Sequence, residues 1–388
     1  MRARGMNGGA AATSRPLRIA SFGFRSLPPR DGSAGADKFV LELLPRIAAR
    51  GHCVTGYNRR YRGERYSPST DFRGVRLRNL RTFRRAGLEA WCHAARVTFD
   101  IIRHDRADIV HIQNGGNSPF ALILRMFGKR TILTEDGKEW ERPKWSRLAR
   151  RYLRAATWLT AHVHNAVVFD NVYAREAFTE RFGRRYDLIP YGADVAAPRD
   201  DATDLLERLG VERGRYLLFV GRFIPDKGLH HLLAAFATLD TGVKLLLIGG
   251  AAGRSDYAAR VCDSGDPRVL TPGYLYGEQV HALMRDCLAY VQPSDLEGLS
   301  PVILESAFVG APVICSDIAM NRYALEEHGI YFAAGDADDL RRQLRRALDE
   351  PEWLRARAWA QQQHVTRTYS WERVTDQYCA LFAAHAPT

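Results

Sequence analysis

The sequence predicts two successive α/β domains, each a parallel sheet covered by helices. Short apolar runs alternate with stretches of helical apolar spacing, first from Leu17 and again from Tyr216. Such alternation is the signature of βαβ units, because parallel strands need long crossovers. The chain also has 388 residues, and a domain takes about 100–200.

In order, 17–22 reads as a buried strand entering a loop at 23–35. Phe39, Val40, Leu43, Leu44 and Ile47 share one helical face within 37–50, Gly51 stops that helix, and 53–57 is the second strand. Strands follow at 108–112, 131–134, 166–169 and 188–190, with helices at 118–125 and 147–159 and a loop at 135–144. The turn at 191–194 closes the first half, and 198–203 is polar enough for a linker. The second half has strands at 216–220, 243–248, 269–271, 289–292 and 312–316, with helices at 229–239, 255–262, 277–286 and 300–309. An aromatic-rich amphipathic helix at 369–384 ends the pattern. The expected divisions are a disordered 1–15, a first domain at 16–197, a second at 198–368, and a last helix at 369–388.

Hydrophobic content of 46% and charged content of 26% fit a globular protein. No secretory apolar run follows Arg4, and no stretch approaches the roughly 20 apolar residues that span a bilayer. A cytoplasmic protein is expected. Six cysteines lie apart with no CxxC pair, so most are expected to be buried free thiols rather than zinc ligands or disulfides. The net charge of +12 draws on Arg73, Arg76, Arg78, Arg81, Arg84 and Arg85 and on 142–154. An anionic membrane, nucleic acid or a solvated surface could each account for it. No aromatic platform or nucleic-acid motif accompanies the cluster, which disfavours nucleic acid.

Chemistry concentrates in two loops of the second half. Gly221-Arg222-Phe223-Ile224-Pro225-Asp226-Lys227-Gly228 puts two cations on one turn at a strand's carboxyl end. A departing diphosphate needs such cations, although a surface turn could carry them incidentally. The second loop, 292–301, leads into a helix whose N-terminal amides suit a phosphate. Glu297 before that helix and Glu305 on its second turn can accept hydrogen bonds from sugar hydroxyls at two points.

The run Glu297-Gly298-Leu299-Ser300-Pro301-Val302-Ile303-Leu304-Glu305-Ser306 resembles the E-x7-E motif of the glycosyltransferase family 4 enzymes, retaining transferases of GT-B fold. The loop 220–228 resembles that family's phosphate loop, and Tyr369-Ser370-Trp371-Glu372-Arg373-Val374 its C-terminal helix, which crosses back onto the first domain. In the first half, 22–28 and the double-Trp segment 134–145 are similar to a subgroup containing bacterial rhamnosyltransferases of polysaccharide assembly. The fold implied is two facing Rossmann-like domains.

The resemblance implies roles. Arg222 and Lys227 would bind the diphosphate beside Gly221, and Glu305 the ribose hydroxyls. Glu297 and the amides of Gly298, Leu299 and Ser300 would hold the donor sugar and phosphate. Gly273 and Tyr274 would lie near the base, and Gly35 would approach the donor from the first domain. The family commonly has a His-Gly pair where this chain has Asp136-Gly137, and Gly-Gly-Ala-Glu where it has Ala34-Gly35-Ala36-Asp37. An ionised Asp accepts hydrogen bonds but donates none; Asp136 is nevertheless taken as catalytic with Arg222, Lys227 and Glu297.

The implied reaction moves a hexosyl or deoxyhexosyl unit from a nucleoside-diphosphate sugar to a hydroxyl of a glycan or lipid-linked acceptor. No cofactor or metal is expected, since Asp336-Ala337-Asp338 reads as a helix cap. Rival readings are a nucleotide-sugar epimerase of the same fold and a nucleic-acid-binding protein.

Overall fold

The computed structural model describes residues 15–29, 35–61, 69–83, 88–135, 147–195, 202–251 and 255–387. The chain divides into two compact units, Met1–Ile189 with Thr375–Thr388, and Pro190–Val374.

The first unit runs β1 (Arg18–Phe22), α1 (Gly35–Ala49), β2 (Cys53–Tyr61), β3 (Asp71–Phe72), β4 (Val75–Thr82), α2 (Leu88–His104), β5 (Ile109–Gln113), α3 (Ser118–Met126), β6 (Arg130–Glu135), α4 (Arg147–Val163), β7 (Ala166–Phe169), α5 (Val172–Phe182) and β8 (Asp187–Leu188). Its eight strands lie in the order β3-β4-β2-β1-β5-β6-β7-β8. All pairs are parallel except β3 with β4. The five residues of β5 are all buried, as expected of a strand covered on both faces. The apolar face of α1 (Phe39, Val40, Leu43, Leu44, Ile47) is wholly buried. Its Asp37 accepts from the amides of Arg25 (2.7 Å) and Ser26 (3.1 Å), which ties the loop after β1 to the helix start.

The second unit runs α6 (Thr203–Leu209), β9 (Tyr216–Arg222), α7 (Leu229–Ala237), β10 (Lys244–Gly250), α8 (Asp256–Cys262), β11 (Val269–Gly273), α9 (Glu278–Asp286), β12 (Ala289–Gln292), α10 (Pro301–Phe308), β13 (Val313–Ser316), α11 (Ala319–Leu325), β14 (Ile330–Phe332), α12 (Ala337–Asp349), α13 (Pro351–Thr368) and the start of α14 (Trp371–His385). Its sheet is β11-β10-β9-β12-β13-β14, parallel throughout. Leu217, Phe219, Leu245, Leu247, Val291 and Ile314 fill its core against α7 and α12. Strand order reverses between β9 and β12, and ligands of open α/β sheets bind outside the carboxyl ends at that point.

Several expectations need correction. The Arg-rich stretch from Arg73 to Arg81 contains β4, where Val75 and Leu77 are buried and Arg76 is exposed. The arginines mask a period-two pattern. The first compact unit ends at Ile189 rather than 197. The Ala193 amide bonds the Tyr369 carbonyl at 2.6 Å, and Gly192 packs on Trp371, so the turn belongs with the second unit. Helices α2, α5, α6, α11 and α13 and strand β14 were not anticipated, nor was the antiparallel β3.

The cysteines also differ: Cys287 and Cys315 are buried, Cys92 and Cys379 half-buried, and Cys53 and Cys262 exposed. Burial pushes the Cys287 and Cys315 thiols up, leaving them protonated. At 336–338 the structure agrees with the reading of a cap, since Asp336 accepts from the Asp339 amide at 2.9 Å. Residues 1–14, most of the double-Trp segment and 198–201 of the expected linker at 198–203 lie outside the described residues, while Thr203 opens α6. Among the described residues, no helix is long and apolar enough to cross a membrane.

Candidate active site

Both chemistry-bearing loops of the second unit sit at the strand reversal, one leaving β9 and one leaving β12. Gly221 and Arg222 end β9 in register with Gly249 and Gly250 of β10. Gly249 has φ +136°, and a Cβ there would stand 1.8 Å from the Gly221 carbonyl oxygen. The two strands therefore meet backbone to backbone where Arg222 emerges. Arg222 is exposed and makes no ion pair among the described residues.

After Arg222 a 3-10 turn (Pro225–Lys227) presents Lys227 and ends at Gly228, whose φ is +64°. A Cβ on Gly228 would stand 1.9 Å from the Pro293 carbonyl oxygen, so only glycine lets the two loops touch. The Asp226 carbonyl accepts the amides of Asp295 (3.0 Å) and Leu296 (3.4 Å), a second tie between them.

Lys227 Nζ is paired with Glu297 Oε1. The same oxygen accepts from Gln292 Nε2 at 2.6 Å and Ser294 Oγ at 2.7 Å. Tyr290 donates to Gln292 Oε1 at 2.6 Å, and Ser300 Oγ donates to it at 3.3 Å. Burial and then the Glu297 charge hold the Tyr290 hydroxyl well above its ordinary range, so it stays a donor and fixes the Gln292 amide with its nitrogen toward Glu297. Gln292, Ser294 and Ser300 are all buried. The result is a satisfied polar network that sets one ammonium group beside the start of α10.

The start of α10 lacks a side-chain cap. Ser300 is the N-cap residue, yet its side chain caps no amide, and Pro301 occupies the first turn. The next N–H groups thus have no side-chain partner and lie at the positive end of the helix dipole. Glu305, 4% exposed, has His281 Nε2 of α9 at 3.9 Å from its Oε2. Gly273 ends β11, and Tyr274 follows with its ring against Gly250, where a Cβ would stand 3.0 Å from it. Tyr274 and Tyr276 are parallel (4°, centroids 6.1 Å apart) and exposed. Leu299 is buried while Gly298 is exposed.

In the first unit Gly35 opens α1; Asp136 lies outside the described residues. β5 and β6 carry a buried hydrogen-bonded chain that links Tyr378 of α14 to Thr134 (2.8 Å), Thr134 to His111 Nε2 (2.9 Å), and His111 Nδ1 to Ser21 (3.2 Å). Burial holds His111 at about 3, so it is neutral.

Sequence reasoning missed Tyr290, Gln292 and Ser294 as support for Glu297, and also His281 and Tyr276. Strand periodicity was the available signal for the first two, since residues two apart share a face of β12.

The profile described as "Glycosyl transferases group 1" matches residues 203–364, and "Glycosyl transferase 4-like domain" matches 34–192. Glycogen synthase of Mycobacterium tuberculosis is 30% identical over 302 residues, which span 72% of this chain and 69% of that one. The chain belongs to glycosyltransferase family 4. The transferase is also similar to D-rhamnosyltransferase WbpZ of Pseudomonas aeruginosa, 27% identical over 312 residues, 77% of this chain and 73% of that one. Among solved structures it resembles Anabaena HepE in complex with UDP and glucose. The TM-score is 0.77 at 16% identity, over 95% of this chain and 100% of that one. The fold is GT-B. These matches give no support to the epimerase alternative.

Proposed function

We propose that the second unit binds the donor diphosphate at Arg222, Lys227 and the first amides of α10, and that the sugar is transferred with retention. The observation that carries this reading is Lys227 held by Glu297 inside a buried network that also anchors the N-cap of α10. A fixed cation and unpartnered amides at one strand reversal match the charge that develops on a departing diphosphate. With Glu297 Oε1 already taking three donors, its role in this reading is to position Lys227. Glu305 receives the ribose hydroxyls, and Tyr274 with Tyr276 offers a stacking face for the base.

In the step itself the bond from the sugar anomeric carbon to the phosphate oxygen breaks. The acceptor hydroxyl oxygen bonds that carbon on the same face, and its proton passes to the departing phosphate. Arg222 and Lys227 stabilise the leaving group. The transferred unit is a hexose or deoxyhexose, and the acceptor a glycan or lipid-linked glycan of cell-surface polysaccharide; the similarity to a D-rhamnosyltransferase supports a place in that subgroup. Transfer assays with Lys227→Ala and Glu305→Ala test the assignment. Each is expected to lower the rate strongly with the fold intact, and wild-type rates in both would overturn it.

An anionic membrane is the proposed route to a lipid-linked acceptor. Phe99 of α2 and Met126 of α3 are 64% and 78% exposed, with Phe127 following α3, and Arg96 and Arg125 are exposed on the same helices. Neighbouring Trp91 packs edge-on against Phe120, joining the two helices. Apolar side chains flanked by cations suit an anionic lipid surface. Sedimentation with phosphatidylglycerol vesicles at low salt supports this; failure to sediment contradicts it.

A further inference from the structure

Helix α7 begins Leu229-His230-His231, directly after the Lys227 turn, and the loop ahead of α10 contributes Asp295. His231 Nε2 stands 3.3 Å from Asp295 Oδ1, and the two imidazole centroids are 3.8 Å apart. One ring nitrogen of each histidine and one Asp295 oxygen all lie within 4.8 Å of one another. The Tyr257 hydroxyl of α8 fixes the first ring, accepting the His230 amide at 3.2 Å and meeting His230 Nδ1 at 3.0 Å. That partner leaves Nε2 as the open ring nitrogen, the arrangement in which an outer group orients a metal-binding histidine.

We propose that His230, His231 and Asp295 form a three-ligand site for a divalent cation of the zinc class. Zinc bonds of about 2.0–2.1 Å in tetrahedral geometry put neighbouring ligand atoms about 3.3 Å apart. His231 and Asp295 already stand at that separation, and the widest gap must close by at most about 1.5 Å, within reach of rotations of partly exposed side chains. Two imidazoles and one carboxylate select zinc, nickel or copper over magnesium or calcium. A bound ion would add a further tie between the Lys227 turn and the loop carrying Glu297. An effect on donor binding rests on the function proposed above, whereas metal binding itself does not.

The test is calorimetric titration of tag-free, full-length protein with zinc chloride. One equivalent is expected to bind with micromolar affinity and without competition from magnesium. His230→Asn and His231→Asn should each weaken binding about tenfold or more, and Tyr257→Phe about tenfold through lost orientation, with circular dichroism matching wild type. The proposal is overturned if wild type takes up no stoichiometric zinc, or if both histidine variants bind as wild type does. Nucleoside-diphosphate binding measured without zinc reports on the donor site separately, so either assignment can fail alone.

Discussion

Lys227 and Glu297, 70 positions apart in sequence, form a mostly buried ion pair whose carboxylate oxygen also accepts from Gln292 and Ser294. Removing one partner leaves the other charge buried, which costs about 3 kcal/mol. Lys227→Met should therefore lose about that much stability in urea unfolding and roughly a hundredfold or more in transfer rate. Lys227→Met with Glu297→Gln keeps an acceptor for Gln292 and Ser294 without the charge. It should regain most of the stability while activity stays low. A double variant no more stable than the single would show that the pair does not organise this site.

Gly228 offers a sharper test of the contact between the loops. Gly228→Ala adds left-handed strain of about 1–2 kcal/mol and a clash with the Pro293 carbonyl. Gly210→Ala, also at positive φ (+65°) but with only Lys244 Nζ within 4 Å, adds strain alone. Chemical denaturation should show Gly228→Ala as the more damaging by at least about 1 kcal/mol. Equal costs would mean the loops can separate freely.

Tyr274 is expected to act on donor binding rather than on the transfer step. Base–aromatic stacking is worth about 1–3 kcal/mol, so Tyr274→Ala should raise the donor KM roughly tenfold with kcat little changed. A fall in kcat at constant KM would place this residue elsewhere in the reaction.

Acid should destabilise the first unit. Burial holds both His93 and His111 at about 3, below the ordinary histidine value of 6.5. The unfolded chain binds these protons first, so their stabilising effect is complete above about pH 6.5 and is lost as pH falls toward 3. The loss at pH 5 is on the order of 2 kcal/mol per histidine. His111→Gln should flatten the pH dependence of the first unit's unfolding midpoint; an unchanged slope would contradict a neutral, buried imidazole.

Much of this was legible because periodicity marks buried strands. The strands at 166–169 and 289–292 were placed residue for residue, since both are short apolar runs bounded by polar turns. The motif loops were legible because a phosphate site needs cations, a glycine and a helix start close in sequence. What escaped depends on contacts distant in sequence. Nothing local told that Glu297 would spend one oxygen on Lys227, or that Gly228 would abut Pro293. In β4 and α2, alternating arginines and exposed aromatics hid ordinary elements behind an unusual surface.

The second unit is proposed to hold a nucleoside diphosphate between Arg222, Lys227 and the start of α10. Thermal unfolding with UDP, GDP, dTDP and ADP, for wild type and Arg222→Ala, tests it most directly. At about 100 times its Kd a ligand contributes about 2.7 kcal/mol. At least one nucleotide should thus raise the wild-type Tm by several degrees, and the shift should fall sharply in the variant. No shift with any of the four, or equal shifts in both proteins, would contradict the account.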